Sequence, residues 1–220
     1  MKHGGTMDNN SYLEIIADFD TFSVINKPAG MLSVPGRKPD HADSVTRRFQ
    51  KKFPKAISHP EVHRLDMATS RLMVLAKTKK SHRQLSIQFQ KRKVSKLYEA
   101  LIEGKVEKDS GIIELPSRLD INNRPYQIYD EIHGKIGITH WKKISFEKNY
   151  TRVEFTPLTG RTHQLRVHSA HKFGLGFPIA GDLLYGNGTN PYQLKLHAKY
   201  LAFKNPENKD SLEFYSKVPF

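Results

Sequence analysis

The segment His63-Arg64-Leu65-Asp66-Met67-Ala68-Thr69-Ser70 contains the residue types best suited to chemistry in this chain. It places the carboxylate of Asp66 two residues after the cation of Arg64 and just before a hydroxyl-rich turn. The chain as a whole has a net charge of +14. A single carboxylate in so basic a protein indicates acid–base or nucleophilic chemistry on a polyanion. The alternatives are a surface ion pair with Arg64, or a structural aspartate that caps the turn.

The composition favours a nucleic-acid partner. The 220 residues include 36 Lys and Arg against 22 Asp and Glu, and such a surplus is typical of domains that bind phosphates. A solvated basic surface is the alternative, while an anionic membrane would need a long apolar helix face that no basic segment has. The absence of cysteine excludes disulfides and thiolate metal sites and fits a reducing compartment. We therefore expect a cytoplasmic protein, and no apolar run approaches the length of a membrane span.

Hydrophobic periodicity predicts one α+β domain over residues 12–220, preceded by a disordered N-terminal segment over residues 1–11. Strands are expected over 12–17, 21–26, 72–76, 97–103, 139–146, 152–157, 194–203 and 211–217. Helices are expected over 43–53, capped by Asp43, over 78–92, capped by Thr78 or Ser81, and over 162–174, capped by Thr162. Short strands interspersed with helices, and a hairpin turn at 147–150, favour a mixed, mainly antiparallel sheet flanked by helices.

Four blocks of the sequence resemble a known family. The segment 63–78 resembles the active-site motif of the RluA family of RNA pseudouridine synthases. The blocks 26–36 and 158–168 are similar to its N-terminal and C-terminal motifs, Lys96-Leu97-Tyr98 matches its tyrosine segment, and the blocks follow the family's order. The likeness is closest to the branch that acts on both tRNA and 23S rRNA. One departure is Arg71, where the family usually has glycine.

The resemblance implies the pseudouridine synthase fold, a mixed sheet with a central RNA-binding cleft. It also implies isomerisation of specific uridines in a tRNA anticodon loop, in hairpin loops of 23S rRNA, or in both. The reaction breaks the N1–C1′ bond, turns the base and rejoins it through C5, so it needs no cofactor and no metal. The expected partner is RNA and not a membrane, and the expected oligomeric state is a monomer.

Two other classes of protein remain open from the residues alone. One is a catalytically silent RNA-binding protein that uses the same cleft. The other is a metal-dependent nuclease, although the sequence lacks a cluster of acidic metal ligands. We expect no metal site, because the spacing of His163, His168 and His171 is not that of a zinc-binding helix.

The resemblance assigns catalysis to Asp66, Tyr98 and Arg166. Asp66 would attack C1′ or remove the C2′ proton, and the residues alone do not decide between these roles. Arg166 would pair with Asp66, and Tyr98 would stack on the target base and relay the C5 proton. The alternatives are a structural aspartate, a phosphate-binding or surface arginine, and an ordinary strand tyrosine.

Four further basic residues are expected to contact RNA. The resemblance implies that Arg64 fills the space left by the extruded nucleotide. Arg161, early in the third motif, is a candidate RNA contact. Lys91 and Lys93 belong to basic clusters that suggest a track for phosphates, although each cluster alone is typical of a solvated helix face.

Overall fold

One mixed β-sheet organises the protein. The computed structural model describes residues 13–36 and 42–220, and within them ten strands join a single sheet. The strands are β1 (Glu14–Asp18), β2 (Phe22–Lys27), β3 (Ser70–Ala76), β4 (Ser95–Glu103), β5 (Ser110–Leu119), β6 (Gln127–Tyr129), β7 (Lys135–Glu147), β8 (Tyr150–Pro157), β9 (Leu196–Lys204) and β10 (Ser211–Tyr215). The helices are α1 (Val45–Lys52), α2 (Lys79–Gln90) and α3 (Gln164–Ala170).

Antiparallel pairs dominate this sheet. The strand order is β1-β2-β3-β9-β4-β8-β7-β5-β6, and β10 pairs with β9. Among the described strands, only β3 and β9 pair in parallel, through Ser70–His197 and Arg71–Ala198. The mixed, mainly antiparallel α+β sheet is therefore confirmed. The predicted disorder of residues 1–11 lies outside the described residues.

Alternating side chains of β3 place hydrophobic cores on opposite faces of the sheet. Val74 packs with Leu85 of α2, in what we call the α2 core. Its neighbour Met73 packs on the other face with Phe49 of α1, in the α1 core. A third cluster, the α3 core, joins β4, β5 and β8 to helix α3. The ring of Tyr98 contacts both the α1 and the α3 core, so strand β4 holds it between the two.

The sequence prediction named the wrong cap for α1. Ser44 caps the helix through its hydroxyl, which accepts a hydrogen bond from the Arg47 N–H at 3.3 Å. Asp43 does not cap because its carboxylate is bound to the Arg48 guanidinium instead. For α2, the Thr78 cap is confirmed.

Helix α3 is shorter than predicted. The residue before it, His163, has a left-handed backbone with φ 52° and ψ 20°, so the helix starts two residues after the expected cap Thr162. His171 then leaves the helix with an extended backbone, ahead of the expected end at Gly174. The hairpin turn at 147–150 is confirmed, since Lys148 and Asn149 both have positive φ.

Strands β5 and β6 were missed by the sequence prediction. β5 contains Pro116, and a proline inside a run argues against a central strand. Here β5 nevertheless lies between β6 and β7, and the Pro116 carbonyl accepts a hydrogen bond from the Asp130 N–H at 3.1 Å.

Candidate active site

A buried lysine fixes the loop that carries Asp66. Lys27 ends β2, and its ammonium donates hydrogen bonds to the carbonyls of Pro28 at 3.0 Å, Met67 at 2.9 Å and Thr69 at 2.7 Å. Burial lowers the pKa of Lys27 to about 7, and the negative charge of Asp66 acts in the opposite direction. Three carbonyl acceptors require three N–H donors, which only the ammonium form provides.

Two further contacts hold the same loop. The Gly30 N–H donates to the Met67 carbonyl at 2.9 Å. The Ser33 hydroxyl donates to the Leu65 carbonyl at 2.7 Å and accepts from the Leu65 N–H at 3.0 Å. The backbone is therefore held on both sides of Asp66 by residues of the first motif.

The Asp66 side chain is half-buried at the centre of this arrangement. Among the described residues, its carboxylate takes part in no hydrogen bond and no salt bridge. Its negative charge nevertheless influences the ionisation of five buried or partly buried groups: Lys27, Tyr98, His163, Arg166 and Tyr185. The carboxylate thus lies among cations and aromatic side chains and remains available to a ligand.

Tyr98 is one of the groups that Asp66 influences. Strand β4 presents it opposite Phe155 of β8 and beside Ala198 of β9. Burial, and then the negative charge of Asp66, raise the pKa of the Tyr98 phenol well above its usual value. The hydroxyl is therefore protonated throughout the physiological range.

The expected pairing of Arg166 with Asp66 is not what the structure shows. Arg166, on α3, binds Asp182 through two hydrogen bonds, Nε–Oδ2 at 2.8 Å and Nη2–Oδ1 at 2.5 Å. Burial opposes ionisation of Asp182, but the guanidinium and the N–H groups of Leu184 and Tyr185 outweigh it, so the Asp182 pKa is lowered. The influence of Asp66 on Arg166 is purely electrostatic and smaller than that of Asp182.

His163 and Tyr185 complete the group around Arg166. The Tyr185 hydroxyl accepts a hydrogen bond from the Gln127 N–H at 2.8 Å and lies 2.8 Å from His163 Nδ1. The Arg166 guanidinium carbon is 5.2 Å from the centroid of the Tyr185 ring, a cation–π contact. Burial lowers the pKa of His163 and raises that of Tyr185 to about 12, so an uncharged imidazole and an uncharged phenol share this hydrogen bond at neutral pH.

The structure therefore brings together three of the predicted residues, Asp66, Tyr98 and Arg166. It adds four that the sequence analysis did not assign to the site: Lys27, His163, Asp182 and Tyr185. Lys27 lies in the first motif block and His163 in the third, which was the available signal for these two. No sequence signal pointed to Asp182 or Tyr185.

The four predicted RNA-contacting residues are all exposed. Arg64 lies two residues before Asp66. Arg161 precedes α3, and its Nε donates to the Ile136 carbonyl at 3.1 Å. Lys91 and Lys93 follow α2, which packs in the α2 core on the sheet face opposite Met73. The structure does not join these two lysines to the group around Asp66.

Comparisons with known proteins identify the family of this chain. The family model described as RNA pseudouridylate synthase matches residues 21–171. The chain is similar to the dual-specificity RNA pseudouridine synthase RluA of Pasteurella multocida (strain Pm70), with 40% identity over 98% of this chain and 97% of the relative. It is also similar to RluA of Escherichia coli (strain K12), with 40% identity over 95% and 94%.

Solved structures give the same result. Human RNA Pseudouridylate Synthase Domain Containing 1 matches with a TM-score of 0.76 and 27% identity, over 100% of this chain and 87% of that chain. Human RNA Pseudouridylate Synthase Domain Containing 4 matches with a TM-score of 0.73 and 26% identity, over 94% and 88%. The chain belongs to the RNA pseudouridylate synthase family. It is accordingly an enzyme of the class that isomerises uridine in RNA to pseudouridine.

The described residues contain neither a candidate metal centre nor a helix that could span a membrane. No three His, Asp or Glu side chains in this part of the chain are grouped as metal ligands. None of the described helices is both long enough and apolar enough to cross a bilayer.

Proposed function

We propose that this enzyme converts specific loop uridines to pseudouridine in a tRNA anticodon loop, in a 23S rRNA hairpin loop, or in both. The observation that carries the proposal is the Asp66 carboxylate, which is held rigidly by its backbone and is unpaired among the described residues. The dual specificity in the names of the bacterial relatives supports two RNA substrates. Loop nucleotides suit such an enzyme because their bases can be extruded and read individually.

Asp66 is the catalytic carboxylate of this proposal. It attacks C1′ of the target nucleotide as a nucleophile, or it removes the C2′ proton as a base. Either role needs a carboxylate that is not already bound within the protein. The fixed backbone at Leu65, Met67 and Thr69 supports this assignment, because positioning of a reacting group contributes a large part of enzymatic rate enhancement.

Tyr98 faces the detached base. Its ring provides a stacking surface, and its hydroxyl takes part in removal of the C5 proton. Because the raised pKa keeps the phenol protonated, Tyr98 relays a proton by giving up its own while accepting another. It does not act as a preformed phenolate.

Arg166 acts as a fixed positive charge. Its guanidinium is held by two hydrogen bonds to the Asp182 carboxylate. It therefore interacts with Asp66 electrostatically, without a hydrogen bond. This assignment replaces the direct Arg166–Asp66 pair that the sequence analysis expected.

The exposed basic residues bind the RNA strand. Arg64 occupies the space that the extruded nucleotide leaves, where a guanidinium both stacks and donates hydrogen bonds. Arg161, Lys91 and Lys93 contact phosphates. We further propose that residues 12–220 act as a single catalytic domain, as a monomer and in the cytoplasm. The one continuous sheet supports the single domain, because the Asp66 loop leads directly into its strand β3 and helix α3 packs in a core with its strands β4, β5 and β8.

Chemical mapping of pseudouridine tests this substrate assignment. Total RNA from cells with and without the gene is treated with a carbodiimide that marks pseudouridine, and the marked positions are compared. We expect loss of the mark at a loop uridine of tRNA or 23S rRNA, restored by the wild-type gene and not by Asp66→Asn. An identical set of marks in both strains contradicts the assignment.

A further inference from the structure

Arg71 has a backbone conformation that arginine rarely adopts. It lies in β3, opposite Lys27 of β2 and Ala198 of β9, and its φ is +115°. Glycine accepts a φ of this sign without a steric cost, whereas a side chain with a Cβ atom is strained there. Strain of this kind is concentrated at sites of binding or catalysis, where the side chain performs a task that glycine cannot.

The Arg71 side chain lines a pocket of about 280 Å³ at this end of β2 and β3. The described residues around the pocket include three with basic side chains, Lys27, Arg71 and Lys195, and none with an acidic side chain. Phe220 is the last residue of the chain, and its backbone oxygen accepts a hydrogen bond from Arg152 at 2.9 Å. Tyr192, whose side chain is 70% exposed, and Phe220 provide aromatic walls. Positive charge beside aromatic rings suits a phosphate and the nucleoside attached to it.

Two of these three cations are available to a ligand. The Lys27 ammonium is already bound to the carbonyls of Pro28, Met67 and Thr69. By contrast, Arg71 and Lys195 form no salt bridge with any described residue. The Lys195 ammonium lies 5.7 Å from the centroid of the Phe220 ring. Because this ring also lines the pocket, the positive charge of Lys195 lies at the pocket.

The pocket shares a wall with the Asp66 loop. Lys27 lines the pocket and also holds the carbonyls of Met67 and Thr69. The Tyr192 ring packs directly on Gly30, where an added Cβ atom would lie 2.1 Å from Tyr192 Cε1. Gly30 in turn donates to the Met67 carbonyl. A ligand in the pocket is therefore separated from the catalytic loop by a single layer of residues.

We propose that this pocket binds one nucleotide of the RNA substrate outside the target uridine, with its phosphate on Arg71 and Lys195 and its base or ribose against Tyr192. The proposal rests on the proposed function, since it takes RNA as the substrate. The Arg71 side chain then raises the affinity for RNA, while its backbone conformation lowers the stability of the protein. Arg71→Gly separates these two effects, because it should weaken RNA binding and raise the melting temperature.

The experiment compares Arg71→Gly, Lys195→Gln and their double variant with the wild-type protein. Lys108→Gln is the matched control, because Lys108 is exposed but lies outside the pocket, between β4 and β5. Affinity for a stem-loop RNA is measured by filter binding from about 50 to 300 mM salt, and thermal melts are recorded for every protein. Lys195→Gln carries no change at the strained residue, so it reports on the pocket even where Arg71→Gly alters the fold.

We expect each pocket variant to lower the slope of log affinity against log salt by about 0.7–0.9, the contribution of one phosphate contact. The control should keep the wild-type slope. Arg71→Gly should also raise the melting temperature by about 2–10 °C, because glycine relieves the strained φ. A purely structural arginine would change the melting temperature and leave the slope as it is.

Unchanged slopes in both Arg71→Gly and Lys195→Gln overturn the proposal when wild-type binding remains salt-dependent. Thermal melts with inorganic phosphate provide a second criterion. If phosphate raises the melting temperature of the wild-type protein but not of Arg71→Gly, while neither pocket variant changes RNA affinity, the pocket binds small anions and the RNA assignment is wrong. Failure of the proposed function looks different. In that case the wild-type protein itself forms no pseudouridine, whatever the behaviour of Arg71.

Discussion

The buried guanidinium of Arg166 is bound by the carboxylate of Asp182 and not by that of Asp66. This pair fixes the position of a positive charge near the carboxylate that we propose to react, without occupying that carboxylate. Asp66 is thus left unpaired among the described residues while still experiencing the charge of Arg166. An active site whose carboxylate must react with substrate benefits from this division between an anchoring and a reacting carboxylate.

Removing the anchoring carboxylate should be costly. Asp182→Asn leaves the Arg166 charge buried with a neutral partner, and we expect it to lower the free energy of unfolding by about 3–5 kcal/mol. Asp109→Asn is the control, since Asp109 forms its salt bridge with Lys143 at the surface. Urea denaturation measures both, and equal stability losses in the two variants would contradict a structural role for the Arg166–Asp182 pair.

Lys27 should matter for catalysis although its ammonium is bound to three backbone carbonyls and does not contact the target uridine. Lys27→Met removes the donors to Met67 and Thr69, so the Asp66 loop loses its support and kcat should fall by about 100-fold. Lys77→Met is the matched control: Lys77 follows β3 at its other end and also donates to a backbone carbonyl, that of Phe19 at 2.6 Å. Single-turnover assays should show near wild-type rates for the control, and a fully active Lys27→Met enzyme would refute the positioning role.

The strands that position Asp66 and Tyr98 could be predicted from the sequence, because local hydrophobic patterns specify these strands. The apolar run in β3 and the strand pattern of β4 fix where Asp66 and Tyr98 lie relative to the sheet. Asp182 could not be predicted, since its approach to Arg166 depends on how the irregular chain after α3 folds back. No periodicity or motif encodes that path.

The missed and altered elements have similarly physical causes. Strand β5 was not predicted because it contains Pro116, and proline lacks the N–H that a residue in the interior of a sheet normally donates. The start of α3 was misplaced since His163 adopts a left-handed backbone and directs its ring to Tyr185. In both cases tertiary contacts outweigh the local preference of the residue.

His168 predicts a dependence of stability on pH. It is buried on α3, and neither ring nitrogen has a hydrogen-bond partner among the described residues. Burial lowers its pKa to about 4 from the usual 6.5. The unfolded state therefore binds more protons between these values, and stability should fall as the pH drops from about 6.5 to about 4.

The variant His168→Leu tests that dependence. It replaces an unsatisfied polar ring with an apolar side chain, so stability at pH 7 should be retained or raised. The loss of stability between pH 6.5 and 4 should become smaller than in the wild-type protein. Urea denaturation at several pH values measures both effects, and an unchanged pH profile would show that His168 does not contribute.

Two variants of Tyr98 should separate the contribution of base stacking from that of proton transfer. Tyr98→Phe keeps the ring, so RNA affinity should change little, while Tyr98→Ala should lose the roughly 1–3 kcal/mol of a stacked base. Without the hydroxyl, Tyr98→Phe should form a bound, rearranged base and release product slowly or not at all. Single-turnover assays with thermal melts measure this, and full activity of Tyr98→Phe would leave the C5 proton step without an assigned group.

The role of Asp66 is tested most directly by tritium release from C5-labelled uridine in stem-loop RNA. Asp66→Asn removes one negative charge and almost no volume, so it should bind RNA at least as well as the wild-type protein by filter binding. Asp20→Asn, an exposed aspartate between β1 and β2, is the control and should release tritium at the wild-type rate. We predict no detectable release by Asp66→Asn. Wild-type release by this variant would contradict the central claim that Asp66 is the catalytic carboxylate.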